Sequence, residues 1–444
     1  MTFARVFQGS LFTAADAHTV TFHRQALLCL DEAGVIARII PATATDYSTV
    51  RQAAQNHERL VVLAPNTYLL PGFIDLHVHA PQWPQAGLAL DRPLADWLNT
   101  YTFPLEAKYA DTDYAQRVYQ HLVAELLANG TTTAQYFGTI HHAANLVLAQ
   151  QCVRLGQRGY VGQVVMDNPD QTPATYRSAT ATLTADTERF ILAVQKLAQS
   201  SRTTLVPVIT PRFVPSCTPR ALTLLGQLAH RYALPIQTHC SESVWEDQYV
   251  PTHFNGQRDT EVLERAGLLT AKTVVAHGTQ LTAPDFARLH RTQAAVAHCP
   301  ISNAYFGNAV FPVQTALDHQ VTVGLGSDIS GGFTPSLYRN IQQAVMASQM
   351  LQDGTTPTQP TGRAASRISA KTAFYLATKG GAQSLHLKAG QLAPGYLADF
   401  QVVHDRYATV MPTDSDSVFE RLIYQTTPAE IQEVYVGGRL VHHR

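Results

Sequence analysis

Leu69-Leu70-Pro71-Gly72-Phe73-Ile74-Asp75-Leu76-His77-Val78-His79 is the stretch on which the reading of this chain turns. It is short, apolar and rich in strand-forming residues, the composition of a buried strand rather than a helix. It ends on histidines at i and i+2. On a strand these share a face, so both imidazoles can point to one ion while Val78 faces away. Seven runs of similar texture follow: Thr131–Phe137, Tyr160–Met166, Thr204–Pro211, Leu234–His239, Thr273–His277, Ala295–His298 and Thr322–Ser327. The stretches between them include Ala115–Ala128, Ala185–Ala198, Arg220–Tyr232 and Ala283–Arg291, which have helical composition and length. Strands alternating with helices predict a parallel sheet. Eight such units over about 250 residues match a (β/α)8 barrel, the TIM-like architecture. A doubly wound open sheet needs fewer units and ranks second.

The flanks differ in texture. Ala26–Leu30 and Val35–Ile40 bracket a turn at Asp31–Gly34, and Glu433–Val436 and Arg439–Val441 bracket Gly437-Gly438. Both are hairpin signatures, and Leu397–Val403 reads as another strand. The expected organisation is a barrel over residues 70–380 and a small β-sandwich domain built from both chain termini, residues 1–69 and 381–444. Asp353–Gly362 reads as a polar loop, and Ser366–His386 as helical.

Composition excludes several classes. Of 444 residues 45% are hydrophobic and 9% aromatic, enough for a sizeable core, so disorder is excluded for most of the chain. The net charge of −1 gives no basic footprint for nucleic acid and no polybasic membrane patch. No apolar run approaches the roughly 18 residues of a membrane span, and Met1–Arg5 lacks a signal-peptide pattern. Five cysteines without a C-x-x-C suggest neither a disulfide framework nor a thiolate zinc site, and fit the cytoplasm. The 19 histidines are about twice an ordinary share.

The chemistry is positional. There is no Walker loop, complete dinucleotide fingerprint, zinc-protease motif, G-x-S-x-G elbow or zinc base-deaminase signature. Instead, His239 ends the fifth run, His277 the sixth and His298 the seventh, and Asp328 follows the eighth. In such barrels the C-terminal strand ends carry the site. Three imidazoles and a carboxylate, His77, His79, His239 and Asp328, suit one zinc with water completing its shell. Two-metal barrels carry a bridging ligand on the fourth strand, usually lysine; here Arg212-Phe213 follows that strand, which favours one ion. Glu242, three residues after His239, is placed to shuttle a proton. His277 is placed to stabilise a tetrahedral intermediate or to support the ligands, and His298 is read as a supporting or structural residue. Gln82, Arg212 and Phe213 offer an amide, a planar fork and a flat apolar face, a set suited to a planar heterocycle such as a purine.

Taken with Ala80-Pro81-Gln82 after the paired histidines, these blocks resemble the amidohydrolase superfamily and, within it, the guanine deaminases. The resemblance continues through Tyr101-Thr102-Phe103-Pro104 with Glu106, Thr210-Pro211-Arg212-Phe213, His239-Cys240-Ser241-Glu242, Ala276-His277-Gly278 and Gly324-Leu325-Gly326-Ser327-Asp328. It covers nearly the whole chain. It implies one zinc per subunit on His77, His79, His239 and Asp328. It gives Gln82, Arg212, Phe213, His239 and Glu242 to the base, and Glu242, His277 and Asp328 to the hydrolysis of guanine to xanthine and ammonia in purine catabolism or salvage. It also implies a cytoplasmic homodimer, and the charge balance above adds the expectation of no nucleic-acid or membrane partner. The sequence departs from the family pattern at Ile301, at Tyr305–Asn308 and in the Ile329–Pro335 loop. The alternatives are another mononuclear aminohydrolase, acting on 8-oxoguanine, a different aminated heterocycle or a chlorotriazine, and a catalytically silent barrel scaffold.

Overall fold

A computed structural model describes residues 3–356 and 361–444. Residues 357–360 of the expected polar loop and the first two residues of the Met1–Arg5 reading lie outside that range. Eight parallel strands follow one another in chain order: Phe73–His79, Thr131–Phe137, Arg158–Val165, Leu205–Pro211, Ile236–Cys240, Thr273–His277, Ala295–His298 and Val323–Leu325. The eighth is only three residues long, so the first and eighth strands close the barrel beyond its end. Asp328 N–H donates to His77 C=O and His79 N–H to Ile329 C=O, both at 2.8 Å. The result is the nearly closed (β/α)8 barrel that the alternation predicts.

The run from Leu69 to His79 is two strands, not one. Thr67–Pro71 belongs to a second sheet and Phe73–His79 opens the barrel. The chain crosses between them at Gly72, where a Cβ would stand 2.2 Å from Thr132 Cγ2. A side chain there would force the second barrel strand away.

The second sheet also has eight strands and draws on both ends of the chain. Thr67–Pro71 pairs in parallel with Arg5–Ala14 on one side and antiparallel with Phe400–His404 on the other. Both expected hairpins are present, Val20–Leu30 with Ile36–Ile40 and Ile431–Val436 with Arg439–His443. Phe7, Phe400 and Tyr435 pack its core, with ring centroids 4.6–5.1 Å apart. A buried ion pair joins it to the start of the third barrel strand: Arg158 Nε and Nη2 donate to Asp399 Oδ2 and Oδ1 at 2.8 and 3.1 Å.

The helices lie where composition places them. Thr112–Ala128, Leu183–Gln199, Pro219–Tyr232 and Ala283–Thr292 each contain the corresponding stretch. Asp111 caps the first of these through its carboxylate, satisfying the Asp113 and Tyr114 amides. Ser366–His386 is helical only over Ala370–Ser384. Ala382, Leu385 and Ala389 then pack with Ile74, Val208 and Val274 of three barrel strands. Among the described residues, no helix is long and apolar enough to cross a membrane.

Candidate active site

The first strand delivers its two histidines through an irregularity. Pairing with the second strand shifts register between Asp75 and Val78. Leu76 still packs with Val208, Ala276 and Ala297 of the fourth, sixth and seventh strands. After the shift His77 and His79 share a side, with ring centroids 4.9 Å apart, while Val78 packs outward with Tyr136 and Ile329. A bulge re-aims side chains in this way. Asp75 anchors the turn beneath them, its Oδ1 accepting from the His77 and Ser327 amides.

The other strand ends bring their groups to the same point. His79 Nε2 lies 2.9 Å from His239 Nε2. Asp328 Oδ1 lies 3.1 Å from His77 Nε2 and 3.5 Å from His79 Nε2. His277 Nε2 is 3.9 Å from Glu242 Oε1 and 4.0 Å from Asp328 Oδ2. Phe137, ending the second strand, packs on His77, His79 and His239 with centroids 4.6–4.9 Å away. Ser241, His277 and Asp328 have φ of 51°, 72° and 49°, the left-handed region that costs non-glycine residues about 1–2 kcal/mol each. That strain sits where side chains turn into the site.

Electrostatics favour metal-ready donors. Burial, before any other influence, holds His77, His79 and His239 well below the usual imidazole range, so these rings stay neutral. His239 Nδ1–H donates to the Arg212 carbonyl, leaving its Nε2 lone pair facing His79. His77 Nε2 is buried without a hydrogen-bond partner. Lone pairs gathered beside a carboxylate suit a divalent cation. His77, His79 and His239 offer donor atoms all within 4.8 Å of one another. His77, His277 and Cys299 form a second such triple. Burial pushes the Cys299 thiol well above its usual range, which disfavours the thiolate needed there. Burial and then the Asp328 charge push Glu242 up to about 8, whereas a bound dication would pull it back down.

His79, Gln82, Arg212, Phe213, His239, Glu242, His277 and Asp328 all line one cleft. His77 lies behind it, 1% exposed. His298 is elsewhere, packed on Phe311 and lining a separate cavity. The cleft also includes residues to which the sequence reading gave no role. Trp97 and Phe306 form one wall, with centroids 5.0 Å apart. Phe306 falls in a departing segment, so that departure lies inside the site. Gly331 approaches so closely that a Cβ would stand 2.8 Å from Asp328 Oδ2. Asn303 Oδ1 accepts from His277 Nδ1–H at 2.9 Å and fixes that ring. Glu106 holds both Arg212 and Gln82 from behind. Its position inside the Tyr-Thr-Phe-Pro block was the available signal, but spacing alone gave it no partner.

A barrel with imidazoles and carboxylates gathered at its strand ends defines a class, and the comparisons agree. A model of the amidohydrolase family matches residues 68–441, and the chain belongs to that family. Within it, the similarity narrows to guanine deaminases. The chain is 37% identical over 392 residues to the guanine deaminase of Rattus norvegicus, covering 85% of this chain and 84% of that protein. It is 33% identical over 392 residues to that of Escherichia coli, covering 85% and 83%. The structure of a guanine deaminase from C. acetobutylicum with guanine bound in its active site superposes with a TM-score of 0.88 at 31% identity, covering 99% of this chain and 100% of that one.

Proposed function

We propose that this chain is a guanine deaminase, hydrolysing guanine and water to xanthine and ammonia with one zinc per subunit. The observation that carries the reading is a single cleft with an imidazole–carboxylate cluster at its base and the Arg212–Gln82 wall beside it. His77, His79, His239 and Asp328 would hold the ion, which when bound supplies a water acidic enough to act as a nucleophile near neutral pH. The chain does the rest. Phe213, with its ring centroid 6.4 Å from that of His239, and Trp97 flank a flat ring. Arg212 and Gln82 hold the carbonyl edge, which turns the amino-bearing carbon toward Asp328 and Glu242. Asp328 accepts a proton from the attacking water. Glu242 gives a proton to the ring nitrogen beside that carbon, takes up the proton lost by the hydroxyl now on that carbon, and delivers it to the amine, so that the C–N bond breaks as the carbonyl forms; Asp328 returns its proton to Glu242 for the next cycle. His277, fixed through its Nδ1–H by Asn303, turns Nε2 toward Glu242 and Asp328, and once protonated there it donates to the developing oxyanion.

The same reading places the protein in cytoplasmic purine catabolism or salvage as a homodimer, following the resemblance. It takes residues 1–69 with 381–444 as one unit beside the barrel. The test is to incubate zinc-loaded protein with guanine while following xanthine, ammonia and metal content, alongside 8-oxoguanine, other aminated heterocycles and a chlorotriazine. Release of xanthine and ammonia in equal amounts is expected. Zinc-loaded protein inert toward guanine but active on another member of the panel would overturn the substrate assignment.

A further inference from the structure

Glu106, on the short helix Phe103–Ala107, is fully buried behind the cleft. Its Oε2 accepts from Arg212 Nη1 at 2.7 Å. Its Oε1 accepts from Arg212 Nη2 at 3.2 Å and from Gln82 Nε2 at 2.9 Å. The Arg212 guanidinium also lies over the Phe103 ring, 5.1 Å from its centroid.

Three consequences follow from valence and charge. A carboxylate has no hydrogen to give, so the Gln82 amide must turn its nitrogen toward Glu106. Oε1 then lies on the opposite side of the amide. Gln82 itself lines the cleft. The end-on pair uses one hydrogen on each Arg212 Nη, and Nη1 also donates to Met166 Sδ at 3.8 Å, leaving Nε–H and a second hydrogen on Nη2. Finally, the two buried charges cancel, so this wall offers oriented donors without a net positive charge.

We propose that Glu106 is a positioning residue that sets the hydrogen-bond polarity of the cleft, so that it selects a neutral ring lactam, with the carbonyl oxygen toward Arg212 and the adjacent ring N–H toward Gln82 Oε1. This rests on the deaminase reading and deepens it. A six-aminopurine presents a donor and an acceptor in the reverse order and meets the wall mismatched at both positions. An anionic group in place of the carbonyl finds a guanidinium already neutralised.

Direct binding measures this without turnover. Calorimetry compares hypoxanthine, which keeps the lactam but has no amino group to lose, with unsubstituted purine, which has no lactam. Wild-type protein should bind hypoxanthine more tightly than purine. In Glu106→Gln the new amide can donate, which frees Gln82 to turn over. The Kd for hypoxanthine should rise about tenfold or more while that for purine changes less than about threefold, because a polar site rejects the wrong partner more sharply than a missing one. With guanine, KM should rise more than kcat falls. Glu106→Asp keeps the carboxylate and should keep the selectivity. An unchanged hypoxanthine-to-purine ratio in Glu106→Gln overturns the proposal, and so does an equal collapse in Glu106→Asp, which would assign the effect to shape. If Glu106→Gln does not fold, Gln82→Met leaves the Glu106–Arg212 pair intact and must lose the same preference; a retained preference overturns the proposal. Failure of wild-type protein to deaminate guanine would strike the functional reading alone, since the binding ratio is read separately.

Discussion

Arg158→Met should destabilise the protein by about 3–5 kcal/mol while leaving the chemistry untouched. Both members of the Arg158–Asp399 pair are buried, their side chains 7% and 1% exposed. Arg158 makes two charge-assisted hydrogen bonds to the carboxylate and a third from Nη1 to Thr204 Oγ1 at 2.6 Å. Methionine restores the aliphatic volume but leaves Asp399 with one remaining donor, the Gly437 amide at 2.6 Å. Stranding a buried charge is the costly part, which gives the figure above. The double variant Arg158→Met/Asp399→Asn removes both charges and keeps an acceptor for Gly437, so it should recover more than half of the loss. Urea unfolding followed by the fluorescence of Trp83, Trp97 and Trp245 reads both variants. Because Arg158 begins an eight-residue strand, it lies ~25 Å along the barrel from the catalytic rim, and kcat at 25 °C should be unchanged. A single variant costing under about 1 kcal/mol, or a double variant no more stable than the single, would refute the reasoning that desolvated charge governs this seam.

Other outcomes follow from the same geometry. Glu242→Gln keeps shape but cannot carry a proton, so kcat should fall by about 10²–10⁴ with zinc content unchanged; a loss below tenfold would exclude the shuttle. Dialysis against a chelator should abolish turnover and lower the thermal midpoint, because three buried imidazoles lose their common partner, and stoichiometric zinc should restore both. Activity persisting in protein shown by elemental analysis to be metal-free would contradict this. All five cysteines are buried, and burial pushes Cys29, Cys152 and Cys217 up to about 12. At pH 8 these thiols are therefore protonated, and Ellman's reagent should modify none in folded protein and all five after denaturation. Prompt reaction of folded protein would show that the thiols are accessible.

Much of the barrel was legible because its signals are local. Short β-branched runs separated by helical stretches give strand order directly, and side-chain alternation gives the His77–His79 face. What stayed hidden depends on distance in the chain. Gly72 divides one apolar run between two sheets because the backbone must pass Thr132, which no local pattern records. Within the site, His239 and Asp328 could be found by counting strand ends. The roles of Glu106, Asn303 and Phe306 could not, because their partners lie in other loops. Glu106 meets Arg212 across 106 residues, and Asn303 meets His277 across 26. A buried glutamate in a helical turn carries no sequence mark of the arginine it holds.

The sheet drawn from both ends of the chain bears on biosynthesis. Thr67–Pro71 cannot acquire its Phe400–His404 neighbour until more than 300 further residues have been translated. At about 5–20 residues per second that is a wait of roughly 15–65 seconds, during which the edge carrying Leu69 and Leu70 stays open to any passing strand. A ribosome pausing late on this message would lengthen that exposure. The nascent barrel can be sound throughout while the yield of native enzyme still hangs on Phe400–His404 and the strands after it arriving in time.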